Sequence, residues 1–463
     1  MTVSASAVSV RFPLFLSFIR WLRQRLPQLN WRRFWYALFF AWTLHYLHGV
    51  RRVRVHFSKT DASAPARQLM QRIASLCPTL HAVYWPTFYA HTAMQQFFLL
   101  GLKEIRSFLQ SGVYERRMLE LRDTAQIALD WVEPPSGTAC PDGPVCILLH
   151  GAIQASVSAT MKDMAVELAN RGLTAVVMNR RGYGGLKLEV DTARMTLYGI
   201  DEDLDEVFLE VGRRYPGRPV ALVGFSCGSC FAVRYAVVRA HLSAWAKDAE
   251  GGLSKTIPRL LCVVSYDNGY CIDKAPARVP RPYCWALDIA FRYQYVFRHY
   301  ATWLQKSRTC AQVVEAAMSP TRSFMEVYYD VTKLAGFGCR KKWRDKQQSV
   351  LGDVDLPCLL VNSRDDPISV WDNVEDHRAE IESNPYLALA DLRRGAHGCK
   401  FGFLGFRSVG NKMIAEFVLA AASELKQARA QALKQSGLSR SRSVSFCFDD
   451  SPARAAKGLG AGG

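Results

Sequence analysis

The residues of this chain best placed to do chemistry are a serine, an aspartate and a histidine that lie far apart in the sequence. Ser226 sits in Gly224-Phe225-Ser226-Cys227-Gly228, between the apolar run Val220 to Val223 and a helical stretch. A serine on a sharp strand-to-helix turn needs small neighbours on both sides, because its backbone is strained and the helix passes close by. Its hydroxyl is a weak nucleophile near neutral pH. It needs a base within hydrogen-bond reach, and the base needs a carboxylate to fix its tautomer. His397, in Gly395-Ala396-His397-Gly398, is the candidate base. Asp366, just before Pro367 in the acidic turn Asn362 to Pro367, is the candidate carboxylate. Asp365 beside it reads as a turn residue or supporting partner, and the reverse assignment of the two stays open. Attack on a carbonyl also requires N–H donors aimed at the developing oxyanion. The backbone N–H groups of Cys227 and of Ala152, in His150-Gly151-Ala152-Ile153, are the candidates.

These residues need a scaffold that brings distant loops to one edge. From Leu119 onward the pattern supplies it. Leu119 to Arg122 and Gln126 to Trp131 read as a hairpin around Asp123-Thr124. Val145–Leu149, Leu173–Met178, Val220–Val223, Leu260–Val264 and Cys358–Val361 read as buried strands, with a further strand at Leu387–Leu392. Ala159–Asn170, Asp201–Arg214 and Gly228–Ala240 read as helices between them. Strands alternating with helices predict an α/β fold, a mostly parallel sheet covered on both faces. Between about 271 and 350 the alternation stops, and a helical, aromatic-rich insertion is expected as a cap. It holds Trp285, Phe291, Tyr293, Tyr295, Phe297, Tyr300 and Trp303, which could form an acyl-binding wall or simply the cap's core. The expected organisation is a basic apolar segment (1–60), a helical lead-in (61–115), core (116–270), cap (271–350), core (351–425) and a disordered tail (426–463).

The 463 residues, 49% of them hydrophobic and 22% charged, suit a globular protein with a sizeable core. The net charge of +18 is unevenly placed. Residues 1 to 60 contain no Asp or Glu but carry Arg11, Arg20, Arg23, Arg25, Arg32, Arg33, Arg51, Arg52 and Arg54. Beside them Phe34 to Val50 is uncharged, and Phe12 to Ile19 is a shorter apolar run. Basic flanks beside an apolar segment favour an anionic membrane surface over nucleic acid. The first run is about 17 residues long, the short end of what spans a bilayer, and His45 and His48 weaken a spanning reading, so a membrane anchor or an in-plane helix is expected, with a cleaved organelle-targeting segment or a helix packed on the domain as the alternatives. The 13 cysteines show no metal-type repeat, and Cys227 and Cys230 fall inside the elbow and its helix. Mostly reduced, buried thiols are expected, with a disulfide or two left open, and no zinc site.

Several separate stretches carry a family resemblance. They are Arg116-Arg-Met-Leu-Glu-Leu with Ile127 to Trp131, the arginine-glycine loop Asn179 to Gly185, Tyr198 to Leu204, Asn362 to Pro367 and Gly395 to His397. Upstream, Cys77-Pro78, Trp85-Pro86 and His91-Thr92 add to them. From about Leu76 to Phe417 the chain resembles the α/β-hydrolase subfamily of plant embryogenesis-associated proteins, fungal ethyl-ester synthase/esterases and animal membrane-anchored acylglycerol and phospholipid hydrolases. The resemblance implies an α/β-hydrolase fold and esterase or lipase activity on acylglycerols, phospholipids or medium-chain esters. It implies no metal or organic cofactor and a membrane anchor, at the endoplasmic reticulum or another internal membrane. Acyl transfer to an alcohol through the same triad, and a non-catalytic membrane scaffold, are the rival readings. Gln154-Ala155 stand where the family's oxyanion loop has a glycine. Lys400 follows His397 closely and reads as a surface lysine, or as a contact for an anionic head group.

Overall fold

Val145–Leu149, Ala175–Asn179, Val220–Phe225, Leu260–Tyr266, Cys358–Ser363 and Leu387–Leu392 are buried at every residue. Strands buried at every residue are covered on both faces of the sheet. In chain order the strands are β1 (Arg51–Arg52), β2 (Arg54–Phe57), β3 (Val83–Tyr84), β4 (Glu115–Glu120), β5 (Gln126–Val132), β6 (Val145–Leu149), β7 (Ala175–Asn179), β8 (Val220–Phe225), β9 (Leu260–Tyr266), β10 (Cys358–Ser363) and β11 (Leu387–Leu392). The computed structural model describes residues 31–239, 257–348 and 350–435. The apolar run Phe12 to Ile19 lies outside them.

One sheet runs in the order β2-β11-β10-β9-β8-β6-β7-β5-β4. Its six central strands, β7 to β11 with β6, are parallel, while β5 and β4 at one edge and β2 at the other are antiparallel. The hairpin registers Leu119 against Ile127 and Arg116 against Asp130. Helices Ala159–Ala169, Asp201–Arg214 and Cys227–Val238 make the crossovers. The main core gathers side chains from these elements, among them Ile147, Val176, Phe208, Leu222, Phe231 and Leu360.

Between β9 and β10 lies the helical cap, with helices Arg281–Tyr295, Tyr300–Lys306, Arg308–Met318, Phe324–Val331 and Arg340–Gln347. Its own core joins Phe291, Tyr295, Trp303, Val314 and Tyr328 to Tyr183 and Tyr198 of the sheet domain. The aromatic stretch therefore divides. Phe291, Tyr295 and Trp303 are cap core, whereas Trp285, Tyr293, Phe297 and Tyr300 face solvent.

The lead-in is more than a prelude. β2 adds to the sheet edge antiparallel to β11, pairing His56 with Leu389. Helix Ala93–Leu109 opens on a capping box of Thr92 and Gln95 and packs Phe97, Leu99 and Leu100 on Ala396, Cys399 and Phe401. Helix Trp31–Gly49 has 19 residues, about 28 Å of rise. The spanning alternative does not hold for it: among the described residues no helix is long and apolar enough to cross a membrane. Polar contacts tie its last turns to the domain. His45 meets His91 at 2.8 Å and Arg394 at 2.9 Å, and the Tyr46 hydroxyl donates to the Pro86 carbonyl.

The chain divides after Ala422 into a large unit and a second that starts at Ser423. The last helix, Val409–Gln435, continues into the second unit. Residues 426–435 are thus helical rather than disordered, because Ala, Lys, Gln, Arg and Leu there are all good helix formers.

Candidate active site

Parallel strands deliver their following loops to one edge of the sheet, and every site residue stands after such a strand. Ser226 follows β8 with φ 55° and ψ −123°, a conformation held by close packing. A Cβ on Gly224 would fall 2.3 Å from the Gly228 carbonyl oxygen, and one on Gly228 would fall 2.2 Å from that of Leu149. Only glycine fits either position. The Ser226 N–H donates to Tyr266 O at 2.8 Å, fixing the turn to β9.

Asp366 follows β10 and His397 follows β11, and the structure brings them together: His397 Nδ1 lies 2.8 Å from Asp366 Oδ2. The other oxygen of Asp366 accepts from the N–H groups of Ile368 (2.7 Å) and Ser369 (2.9 Å). Burial by itself raises the Asp366 carboxyl, but the His397 charge and hydrogen bond and the Lys400 charge bring it below its ordinary value. Burial lowers the His397 imidazole, and Asp366, aided by Asp267, more than offsets this, so it ends raised. Asp365 has a separate task. It accepts from the Ala396 N–H at 2.9 Å and so braces the turn before His397, where Ala396 takes φ 41°. Burial pushes its carboxyl up to about 6.

No direct hydrogen bond joins Ser226 to His397 among the described residues, yet two short paths connect their loops. Tyr266, bonded to the Ser226 N–H, precedes Asp267, whose carboxylate accepts from the Gly398 N–H at 2.6 Å. On the other side, a Cβ on Gly151 would stand 3.3 Å from Ser226 Cβ. The Gly151 N–H donates to Gln154, and Gln154 donates to Thr160, which lies 3.9 Å from where a Gly398 Cβ would be.

Asp267 was not legible as a site residue. It is wholly buried in a left-handed conformation (φ 54°), and Lys400 Nζ donates to its Oδ1. Lys400 is itself fully buried, its ammonium 4.2 Å from the centre of the Tyr266 ring. The surface reading of Lys400 is therefore wrong, and so is a head-group contact: its charge is spent on Asp267. The signal that could have found this pair is Asp267-Asn268-Gly269, a polar turn directly after a buried strand on the edge that holds Ser226, Asp366 and His397. Ligating atoms of Asp267, Asp366 and His397 lie within 4.8 Å of one another. The donor set does not fit a metal, because the Lys400 ammonium already serves as its cation.

The loop that carries Ala152 is tied through Ser156 to stretches that carry the family resemblance. Arg116 pairs with Asp130 at 2.7 Å and donates to Gly184 O. Asn179 donates to Asp130 and accepts from the Ser156 N–H. Arg181 bridges Asp123 and Asp203. Gln154, the departure from the family pattern, accepts from the Gly151 N–H at 3.1 Å and holds the loop from inside. A cavity of about 370 Å³ lies away from this site, between the β4–β5 turn and the 186–192 loop. None of the twelve described cysteines forms a disulfide, and the Cys230 thiol donates to Asn268.

A strained serine at a strand-to-helix elbow, an aspartate and a histidine after successive later strands, and an inserted cap match the α/β-hydrolase fold. Residues 141–247 match the family Hydrolase_4, described as serine aminopeptidase, S33. Over 309 residues the chain is 25% identical to Protein ABHD15 of Homo sapiens, covering 62% of this chain and 58% of that protein. It is 26% identical over 348 residues to Phospholipase ABHD3 of Homo sapiens (71% and 75% covered) and 22% identical over 333 residues to Monoacylglycerol lipase ABHD2 of Danio rerio (69% and 75%). Among solved structures, the Pyrococcus furiosus esterase Pf2001 aligns with TM-score 0.40 and 14% identity, over 68% of this chain and 94% of that one.

Proposed function

We propose that this chain is a serine carboxylic-ester hydrolase acting on lipid esters, with Ser226, His397 and Asp366 as its catalytic triad. The observation that carries the reading is the 2.8 Å contact of His397 Nδ1 with a buried, doubly braced Asp366, on the sheet edge that holds a strained Ser226. With Nδ1–H committed to Asp366, Nε2 is the free base. His397 takes the Ser226 proton as Oγ attacks the ester carbonyl. The N–H groups of Ala152 and Cys227 receive the oxyanion. His397 then protonates the leaving alcohol, and water repeats the sequence to free the acid. The lipid class is supported by the relatives named phospholipase and monoacylglycerol lipase. A further support is apolar surface. Helix Ala93–Leu109, packed beside the His397 turn, exposes Met94, Phe98, Leu102, Ile105 and Leu109 along one face, and helix Trp31–Gly49 exposes Trp35, Tyr36, Phe39 and Phe40. These helices lie in the plane of a membrane and hold the site at the lipid surface.

A fluorophosphonate probe is expected to label the wild type and spare a folded Ser226→Ala variant, with release of fatty acid from vesicle-borne esters lost in parallel. Equal labelling of the two proteins removes the nucleophile assignment.

A further inference from the structure

Arg180 is a buried cation without an acid. Its side chain is enclosed next to the nucleophile elbow, and no carboxylate pairs with it among the described residues. A guanidinium is costly to bury, and here carbonyl dipoles and a neutral imidazole compensate it. One nitrogen donates to Leu197 O. Another donates to Gly151 O at 2.9 Å and His150 O at 3.2 Å. The His150 ring is kept neutral by burial and by the Arg180 charge. Its Nε2 accepts from the Arg180 backbone N–H, so its Nδ1–H donates to Gly151 O at 2.8 Å. Two donors thus converge on the Gly151 carbonyl.

That carbonyl belongs to the same peptide unit as the Ala152 N–H. In a trans peptide the two point opposite ways, so pulling the carbonyl toward Arg180 turns the N–H away from it. Two donors on the carbonyl also polarise the unit and strengthen its N–H as a donor. The Ala152 N–H has no acceptor among the described residues. The next carbonyl is fixed as well: Ala152 O accepts from the Tyr183 hydroxyl at 2.6 Å, and Tyr295 of the cap bonds the same hydroxyl. The guanidinium also hydrogen-bonds the thiol of Cys227, whose N–H is the second candidate donor. Arg180 and Tyr183 come from one loop, Asn179 to Gly185, which the triad does not use.

Building on the serine-hydrolase reading, we infer that Arg180 and Tyr183 are positioning residues for the oxyanion hole, Arg180 aiming the Ala152 N–H and placing a buried positive charge behind both oxyanion donors. The loop brace thereby takes over the shaping that a glycine at position 154 or 155 would give. A fixed charge in a dry site acts on developing negative charge and little on the neutral ester ground state, so its loss falls on turnover rather than on substrate binding.

The test uses the full chain with Arg180→Lys, Arg180→Met and Tyr183→Phe. It reads kcat and KM on a soluble p-nitrophenyl ester, affinity for a trifluoromethyl ketone that forms a tetrahedral adduct, and thermal unfolding. In Arg180→Met, kcat is expected to fall about 100-fold with KM nearly unchanged, and ketone affinity to fall with it. Arg180→Lys, which keeps charge without the fork, is expected to lie between, and Tyr183→Phe to lose about tenfold in kcat. A folded Arg180→Met with wild-type kcat and ketone affinity overturns the inference. So does a variant whose melting temperature drops while the ratio of ketone affinity to KM stays fixed. Should both Arg180 variants fail to fold, Tyr183→Phe decides, and unchanged turnover there refutes the brace. An inert wild type, or labelling that survives Ser226→Ala, defeats the underlying reading and takes this one with it.

Discussion

At the scale of residues, two carboxylates beside one imidazole raise the question of which holds the proton balance. Asp366 bonds His397 directly, and Asp267 adds to the field while Lys400 neutralises it. Removing one partner of a buried pair leaves an uncompensated charge. Lys400→Met is therefore expected to cost about 3–5 kcal/mol by urea unfolding. The double variant Asp267→Asn/Lys400→Met, which removes both charges and keeps an acceptor for the Gly398 N–H, should recover most of that loss. A double variant as unstable as the single one would show that the ion pair is not the cause. The raised His397 pKa makes a second expectation. Its protonated form gains stability on folding, fully below the unfolded value of 6.5 and lost as pH rises through the folded value. Catalysis needs the opposite form, so kcat/KM on a soluble ester should rise with pH to a midpoint above 6.5. In Asp267→Asn/Lys400→Met the midpoint is expected to stay near that of the wild type, because the two removed charges act on His397 in opposite directions. A wild-type midpoint below 6.5 contradicts the assigned base.

At the scale of elements, local pattern revealed what is local. Six buried strands announced themselves as apolar runs, and the places of Ser226, Asp366 and His397 after three of them put their loops on one edge. Turn residues marked the elbow because strain and close approach demand glycine there. What stayed hidden depends on partners distant in sequence. β2 is four residues, Arg-Val-His-Phe, in a basic run, and nothing in them names β11 as the neighbour. Lys400 looks like any polar loop residue until Asp267, 133 positions earlier, is folded against it. The cap's aromatics could be counted but not sorted, because facing inward or outward depends on how the helices cross. The same holds for helix Trp31–Gly49. Its histidines reach Arg393 and Arg394, the two residues just before the His397 turn, a connection no hydropathy profile contains.

At the scale of the whole molecule, apolar faces and positive charge are distributed together. The net charge is +18, and the helix that exposes Trp35, Tyr36, Phe39 and Phe40 carries Arg32 and Arg33 in its first turn and is followed by Arg51 and Arg52. On the proposed membrane reading, a basic rim would draw the chain to an anionic surface and the apolar side chains would then insert, each aromatic contributing about 2 kcal/mol if fully buried. Salt screens only the first of these contributions. The full chain should therefore sediment with vesicles containing phosphatidylserine more strongly than with pure phosphatidylcholine, and added salt should narrow the difference without abolishing binding. Replacing Phe98 and Phe108, both exposed on helix Ala93–Leu109, by glutamate should weaken sedimentation and turnover of vesicle-borne esters while hydrolysis of a soluble ester continues. If both substrates lose activity together with wild-type sedimentation retained, that face serves the catalytic fold and not the membrane.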